Sequence, residues 1–198
     1  MPSNVFGTPV TDQTVQALPE YIGKKIGRKE RAHVALNMKN AEGKDINARN
    51  YVENLKKQSG YGVSSLCLVY NAIGDTIRLV ANEDWYCKWA VGGMATGSVA
   101  AVAYHGKSNA GNDCDWLLAW RNPWNRYLFT NTNLVVRVYT EIRKAHHYEP
   151  AGVWPILYDL LGNSGVYSSD TRNGCFSTIS SGCFTCPTVE ALLTLEDA

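Results

Sequence analysis

The sequence contains no run of eighteen consecutive apolar residues, which is about the length that a membrane-spanning helix needs. The first residues, MPSNVFGTPVTDQ, also lack a basic segment followed by an apolar stretch, so we expect no signal peptide. A chain without an export signal folds in the reducing cytoplasm. We therefore expect a cytoplasmic protein whose six cysteines are thiols and not a disulfide framework.

Charge is scarce as well. Asp, Glu, Lys and Arg make up 19% of the 198 residues, and the formal net charge is +1. A nearly neutral protein has no global field that would attract nucleic acid, so we expect no nucleic-acid partner. The charge is uneven, however, because residues 1–60 hold ten basic and six acidic side chains, whereas all six Trp and all six Cys come later. The composition therefore changes near Gly60 from charged to aromatic.

Motifs for known chemistry are missing. HExxH, GxSxG, the P-loop and GxGxxG do not occur, so we predict no catalytic residue and no cofactor. Asp113 and Asp115 lie in an oxygen-rich loop, but an EF-hand would need further acidic positions, and a turn is the preferred interpretation. A nucleophile pair such as Cys114 with His105 has only residue type to support it.

The cysteines near the end of the chain leave one question open. Cys183 and Cys186 form a single CxxC, and Cys175 lies shortly before it. A structural zinc site needs four ligands, and the remaining ones would have to come from distant parts of the chain. We predict no metal site and prefer reduced thiols, but a disulfide or a metal among these three cysteines stays open.

The hydrophobic period indicates helices before Gly60 and strands after it. Helices are predicted after Thr11, over 29–42 and over 47–59, the last with Ala48, Tyr51, Val52 and Leu55 on one apolar stripe. Alternating patterns predict strands over 63–70, 76–80, 98–104, 114–120 and 134–142, the first two forming a hairpin through the turn at 71–75. Trp154 to Leu161 fits a short helix or a turn, and 162–187 fits loops and short strands.

These patterns predict a mainly β protein of the α+β type. We expect one domain over 1–198, in which an N-terminal helical segment, 1–61, packs on a β-sandwich core, 62–198. The sequence does not favour a doubly wound sheet, because helices and strands do not alternate along the chain.

Several segments resemble a plant family, the 23 kDa jasmonate-induced proteins. They are NVFGTPVTDQT at 4–14, RAHVALNMKNAEGKDINARNYVENLK at 31–56, DCDWLLAWRNPWNR at 113–126, VYTEIR at 138–143 and LTLEDA at 193–198. The resemblance implies a plant protein induced by wounding, drought, salt or jasmonate. It also implies a β-sandwich of the actinoporin-like or aegerolysin-like kind, and with it a lipid headgroup or a glycan as ligand. It supplies no enzymatic activity and no catalytic residues.

Tryptophans dominate the candidate binding residues. Trp116 and Trp120 share one face of a predicted strand with Leu118, which favours a place in the core. Other tryptophans lie in loop-like sequence beside polar residues, where a ring and a guanidinium together suit a sugar face or a phosphate-bearing headgroup. The predicted ligand-binding residues are Trp85, Trp89, Arg121, Asn122, Trp124 and Arg126.

Three functions remain after this reasoning. The first is a non-catalytic stress- or defence-related protein that binds a membrane lipid headgroup or a glycan. The second is a storage or self-assembling stress protein, which would form homo-oligomers. The third is an enzyme with a Cys or His site that no sequence motif reveals.

Overall fold

The computed structural model of the chain describes residues 7–60, 64–86, 89–90, 94–95, 97–123, 136–182 and 186–198. The predicted Trp124 and Arg126 lie outside these ranges. Ten strands and four α-helices occur in the described residues. None of these helices is long and apolar enough to cross a membrane.

The helices before residue 60 follow local signals in the sequence. Helix α1 (Asp12–Gln16) begins at Thr11, whose hydroxyl accepts the backbone N–H of Thr14 at 3.3 Å. Helix α2 (Arg28–Asn37) begins where Glu30 accepts the N–H of Gly27 at 2.8 Å. Helix α3 (Lys44–Ser59) ends at Gly60, which has the left-handed φ of 68° that favours glycine at a helix end. Short 3₁₀ turns lie at Pro19–Tyr21 and Ala41–Gly43.

The strands form two four-stranded sheets and one small hairpin. The first sheet has the order β1, β10, β9, β8, and the second has the order β2, β5, β6, β7. Their bounds are β1 (Leu66–Ala72), β2 (Arg78–Tyr86), β5 (Gly97–Lys107), β6 (Asp113–Pro123), β7 (Arg137–Lys144), β8 (Tyr167–Arg172), β9 (Cys175–Ser181) and β10 (Thr188–Leu195). Strands β3 (Trp89–Ala90) and β4 (Met94–Ala95) pair only with each other.

The predicted hairpin between the first two strands is wrong. Strand β1 pairs in parallel with the C-terminal strand β10, so Leu66 lies beside Thr188, whereas β2 pairs with β5. The chain therefore crosses from one sheet to the other at the turn around Gly74. Local turn chemistry predicts a reversal of the chain, but it cannot tell which strand will lie alongside, and the partner here is more than a hundred residues away.

The core has two layers, one on each side of the second sheet. Between the sheets lie Trp116 and Leu118 of β6, Ile142 of β7, and the inward residues of β9 and β10 such as Ile179 and Leu193, all essentially without solvent exposure. The prediction that Trp116 belongs to the core is thus confirmed. On the outer face of the second sheet lies a second cluster, formed by residues of β5 and β6 and by helix α4 (Val153–Gly162).

Helices α2 and α3 pack against the first sheet at its β1 edge, α2 reaching β10 as well. The hydroxyl of Tyr70 donates a hydrogen bond to the carbonyl oxygen of Ala35 at 2.6 Å. The predicted apolar stripe of α3 is buried less than expected, because Tyr51 and Leu55 are 45% and 46% exposed. The predicted helix is present, and its apolar stripe is only partly covered because only one edge of the sheet lies under α3.

Candidate functional site

Helix α4 is apolar around nearly its whole circumference. Its sequence, VWPILYDLLG, carries one charge, at Asp159. One face packs on β6 and β7 of the second sheet and belongs to the same buried cluster as Leu117 and Ala119 of β6. The opposite face leaves Ile156 and Leu160 in solvent, 61% and 39% exposed. Two aliphatic side chains one turn apart thus form an uncovered apolar ridge.

Four aromatic rings gather along one side of α4. The ring of Trp85, from β2, lies 5.5 Å from that of Tyr158 and 6.3 Å from that of Trp154, each at an interplanar angle of 66°. Trp154 in turn lies 6.3 Å from Tyr148. Edge-to-face contacts of this kind hold rings in fixed orientations. Trp154 and Tyr148 are buried, whereas Trp85 and Tyr158 are half-buried and reach the surface.

A cation completes the cluster. The guanidinium carbon of Arg121, on the outer face of β6, lies 5.8 Å from the centre of the Tyr158 ring. This is a cation–π distance, and Arg121 as a whole is half-buried. We call the set of Trp85, Arg121, Ile156, Tyr158 and Leu160 the α4 surface. It combines an aliphatic ridge, two aromatic edges and one positive charge.

Buried hydrogen bonds fix the base of this surface. Glu141, 4% exposed, accepts hydrogen bonds from the hydroxyls of Tyr148 and Tyr139 at 3.1 Å each and from Arg143 at 2.7 Å. Desolvation, followed by the Glu141 charge, raises the pKa of Tyr148, so its hydroxyl stays a donor over the physiological range. Arg143 compensates the buried charge of Glu141. Glu141 in turn holds the hydroxyl of Tyr148, and so the position of the Tyr148 ring next to Trp154.

The structure brings together two of the six residues predicted from the sequence and separates a third, Asn122, from them, while Trp124 and Arg126 lie outside the described residues. Trp85 and Arg121 flank Tyr158 on the α4 surface. Asn122 lies on the other face of β6, 3% exposed, and donates to the carbonyl oxygen of Ser64 at 3.4 Å. The backbone of Trp89 pairs with Ala95 in the small hairpin, and its side chain lies outside the described residues. The ligand-binding role of all six stays a prediction.

Sequence reasoning missed the contribution of α4. Tyr158 joins the two predicted residues, and Ile156 and Leu160 supply the exposed apolar area. A signal was available, because a ten-residue helix with one charge cannot bury its whole circumference against a single sheet.

A second polar cluster lies at the opposite end of β5 and β6 from Arg121. The Nδ1 of His105 lies 2.8 Å from the buried carboxylate of Asp115, and its Nε2 lies 3.3 Å from Asp113. Asp113 also accepts from the ammonium of Lys107 at 2.7 Å, and Asp115 from the backbone N–H of His146 at 2.9 Å. Both carboxylates therefore already have hydrogen-bond donors within the protein.

The arrangement does not join His105 to Cys114. The Cys114 side chain faces the core between the sheets, whereas Asp115 and its partner His105 lie on the other face. The sulfur of Cys114 instead lies 3.3 Å from that of Cys175. Within the described residues, no three His, Cys, Asp or Glu side chains are arranged to hold a metal ion.

Two of the three cysteines left open by the sequence, Cys175 and Cys186, are far apart. Cys175 begins β9, and Cys186 follows the other end of that strand, about 20 Å away at the rise of an extended chain. Cys183 lies outside the described residues. The hydroxyl of Ser64 approaches the sulfur of Cys186 at 3.9 Å. A single site built from Cys175 and Cys186 together therefore does not exist.

An open cavity of about 820 Å³ lies at the end of the sandwich that carries the β5–β6 turn. Its walls combine polar side chains with alanine, glycine and Cys114, which lies on the core side. The lining residues are Asn109, Ala110, Asn112, Asp113, Cys114, Lys144, Ala145, Asn173 and Gly174. The turn is held by the buried Ser108, whose carbonyl oxygen accepts a hydrogen bond from Arg28 at 2.9 Å.

Comparison with known proteins agrees with this architecture of two sheets flanked by helices. The model of the Nakanori-like protein family matches residues 6–92 and 88–196, nearly the whole chain. The chain therefore belongs to the Nakanori-like family. It is also 38% identical over 204 residues to the "23 kDa jasmonate-induced protein" of Hordeum vulgare, with 92% of this chain and 93% of that protein covered. The resemblance predicted from the sequence is confirmed.

A solved structure supports the fold. The crystal structure of the lipid binding protein Nakanori, at 1.5 Å, matches with a TM-score of 0.79 and 24% sequence identity, covering 95% of this chain and 98% of that one. The predicted β-sandwich with an N-terminal helical segment is confirmed. At this identity the likeness bears on the fold, and the two proteins are not thereby shown to share a ligand.

Proposed function

We propose that this protein is a non-catalytic, stress-related protein that binds a lipid headgroup at a membrane interface through the α4 surface. The observation that carries the proposal is the position of Arg121 over Tyr158, next to Trp85 and to an uncovered aliphatic ridge. Two relatives support it by their names, one as a jasmonate-induced protein and the other as a lipid-binding protein.

The chemistry of the α4 surface suits the boundary between headgroups and acyl chains. Ile156 and Leu160 are aliphatic and can enter the outer acyl region. Tyr and Trp rings prefer the headgroup level, where one edge is apolar and the other is wet. The guanidinium of Arg121 presents donors that match the oxygens of a phosphate.

The apolar contribution is modest. The exposed fractions of Ile156 and Leu160, 61% and 39%, amount to about one whole aliphatic side chain. Burying that area contributes about 1.5–3 kcal/mol, or roughly a ten- to hundredfold gain in affinity. Anchoring therefore also needs the headgroup contact of Arg121. Because the net charge is only +1, binding should depend weakly on salt.

The test is sedimentation with vesicles of phosphatidylcholine alone and of phosphatidylcholine mixed with phosphatidylserine or phosphatidylinositol. The double variant Ile156→Gln, Leu160→Gln should bind at least tenfold more weakly than the wild type. The matched control is Tyr51→Gln, Leu55→Gln, which changes an apolar pair of the same spacing and similar exposure on α3. Equal losses in both variants, or a loss only in the control, would refute the assignment of the surface.

Arg121→Gln tests the headgroup contact separately. It removes the charge but keeps an unbranched polar side chain, so it should weaken binding to every vesicle containing phosphate headgroups. If the variant binds as tightly as the wild type, Arg121 does not contact the headgroup, and the protein only adsorbs through its apolar side chains.

Glycan binding is a second candidate, favoured by the cavity of about 820 Å³. The carboxamides of Asn109, Asn112 and Asn173 can each hold a sugar hydroxyl by donating and accepting at once, and the volume lies in the range of small-ligand sites. A glycan array with wild type and Asn173→Gly is the test. Glycine keeps the positive φ of 57° at this position while removing the carboxamide. A glycan signal that falls in this variant, but not in the α4 double variant, would favour the cavity.

A further inference from the structure

The two sheets of the sandwich approach each other through a pair of sulfur atoms. Cys114 lies at the start of β6 in the second sheet, and Cys175 begins β9 in the first. Their sulfurs are 3.3 Å apart, and the residues are 1% and 0% exposed. A disulfide bond is about 2.05 Å long, so the sulfurs need to approach by little more than about 1 Å to form one.

We propose that Cys114 and Cys175 form a modification site, a dithiol that hydrogen peroxide oxidises to a disulfide linking the two sheets. The present arrangement is the reduced form. The proposal is independent of lipid binding, because the sulfurs face the core between the sheets and the α4 surface lies on the outer face of the second sheet.

Access decides the order of the reaction. Cys114 lies in the wall of the open cavity, and because the residue is only 1% exposed, hydrogen peroxide has to pass this wall to reach its sulfur. Cys175 has no solvent exposure and does not line the cavity, so Cys114 reacts first. A hydrogen bond with Cys114, together with burial, raises the pKa of Cys175, which therefore remains a protonated thiol at neutral pH. The second step, in which Cys175 closes the disulfide, should consequently be slow and should accelerate as the pH rises.

The chemistry balances in two steps. The Cys114 thiolate attacks one oxygen of hydrogen peroxide, the O–O bond breaks, and hydroxide leaves and takes up the proton of the thiol as water. The product is a sulfenic acid on Cys114. The sulfur of Cys175 then attacks the sulfenic sulfur, the S–O bond breaks, and hydroxide leaves with the Cys175 proton as a second water. Two thiols and one peroxide thus give one disulfide and two waters.

Cys175 has only one partner within reach among the described cysteines. Cys67 pairs in register with Val189, which lies opposite Ser181 at the far end of β9. Cys186 follows that same end. Both are therefore about six strand residues, or about 20 Å, from Cys175. The disulfide should form between Cys114 and Cys175 alone.

The experiment uses the full-length wild-type protein, reduced and then exposed to hydrogen peroxide at neutral and at alkaline pH. Free thiols are alkylated under denaturing conditions before any reductant is added, and cross-linked peptides are identified by mass spectrometry. A peptide pair joined through Cys114 and Cys175 is expected, lighter by two hydrogen atoms and separated again by dithiothreitol. The oxidised protein should also unfold at a higher urea concentration than the reduced protein, because the link closes a loop of the unfolded chain.

Two variants act as controls. Cys67→Ser should form the same cross-link as the wild type. Cys175→Ser should form no cross-link and should leave a sulfenic acid on Cys114, which dimedone traps. If the wild type gives no Cys114–Cys175 peptide at a peroxide concentration that oxidises its other cysteines, the proposal is wrong. It is equally wrong if Cys175 of the wild type joins Cys67 or Cys186 instead.

Discussion

Among the described glycines, we expect substitution of Gly74 to lower the stability of the fold most. It has a φ of +72° and lies where the chain crosses between the sheets, against the first turn of helix α2. A Cβ atom at this position would lie 2.2 Å from the carbonyl oxygen of Arg28 and 2.8 Å from the amide nitrogen of Ala32. Both neighbours are backbone atoms, one helical turn apart. Neither can move without moving the helix.

The magnitude follows from two separate effects. An alanine at positive φ costs about 1–2 kcal/mol, partly offset by the lower entropy of its unfolded chain. Overlap with the helix backbone adds about 1–3 kcal/mol, and the hydrogen bond of 2.7 Å from Arg31 Nε to the Gly74 carbonyl oxygen is weakened as well. We expect Gly74→Ala to lower the free energy of unfolding by about 2–5 kcal/mol.

Gly23 provides a matched control. Its φ is +74°, and a Cβ added there would meet no atom within 4 Å. Gly23→Ala therefore tests backbone strain without overlap, and it should cost about 1 kcal/mol or less. Urea unfolding followed by circular dichroism and by tryptophan fluorescence gives both values. Equal losses in the two variants would refute the docking of α2 on this turn. Equal losses would also count against the prediction that the helical segment 1–61 packs on the core 62–198 as part of one domain.

Two further predictions concern the core. Thr140→Val should lower the free energy of unfolding by about 1–3 kcal/mol. The buried hydroxyl donates to the Leu117 carbonyl oxygen at 2.8 Å and lies 2.9 Å from the Ser177 hydroxyl, and valine leaves both without this partner. Urea unfolding measures the loss, and an unchanged midpoint would show that this link between the sheets does not contribute to stability. Burial raises the pKa of Cys67 and of Tyr139 to about 12, from ordinary values of 9.0 and 10.0. The folded state therefore keeps protons that the unfolded state loses, so the stabilisation from these two groups should be constant up to about pH 9 and should be lost between about pH 9 and pH 12. A stability that rises between about pH 9 and pH 12 would contradict the burial of these groups.

Local signals predict most of the secondary structure. The caps at Thr11 and Gly60 mark helix ends correctly, and the alternation of Trp116, Leu117 and Leu118 assigns the two faces of β6. These features depend on residues a few positions apart, whose geometry is set by the period of a helix or a strand. The resemblance to jasmonate-induced proteins likewise rested on sequence segments and was confirmed.

The candidate site could be only partly predicted in this way. Trp85 and Arg121 were selected because a ring and a guanidinium in polar surroundings suit a headgroup, but nothing in the sequence shows that they share a surface. Tyr158 joins them from a helix that lies about forty residues after Arg121. Asn122 was selected with its neighbour Arg121, yet successive strand residues face opposite sides, and the tertiary structure buried one and left the other at the surface.

The sequence by itself determined where helices and strands form, which strand faces are apolar, and to which family the chain belongs. The tertiary structure alone decided that β1 pairs with β10, that α4 covers the outer face of the second sheet, and that Cys114 meets Cys175. The physical reason is distance along the chain. Periodicity and capping act over a few residues, whereas strand pairing, helix docking and thiol contact join segments tens to more than a hundred residues apart. Many long-range pairings would satisfy the same local pattern, so the pattern alone does not select one of them.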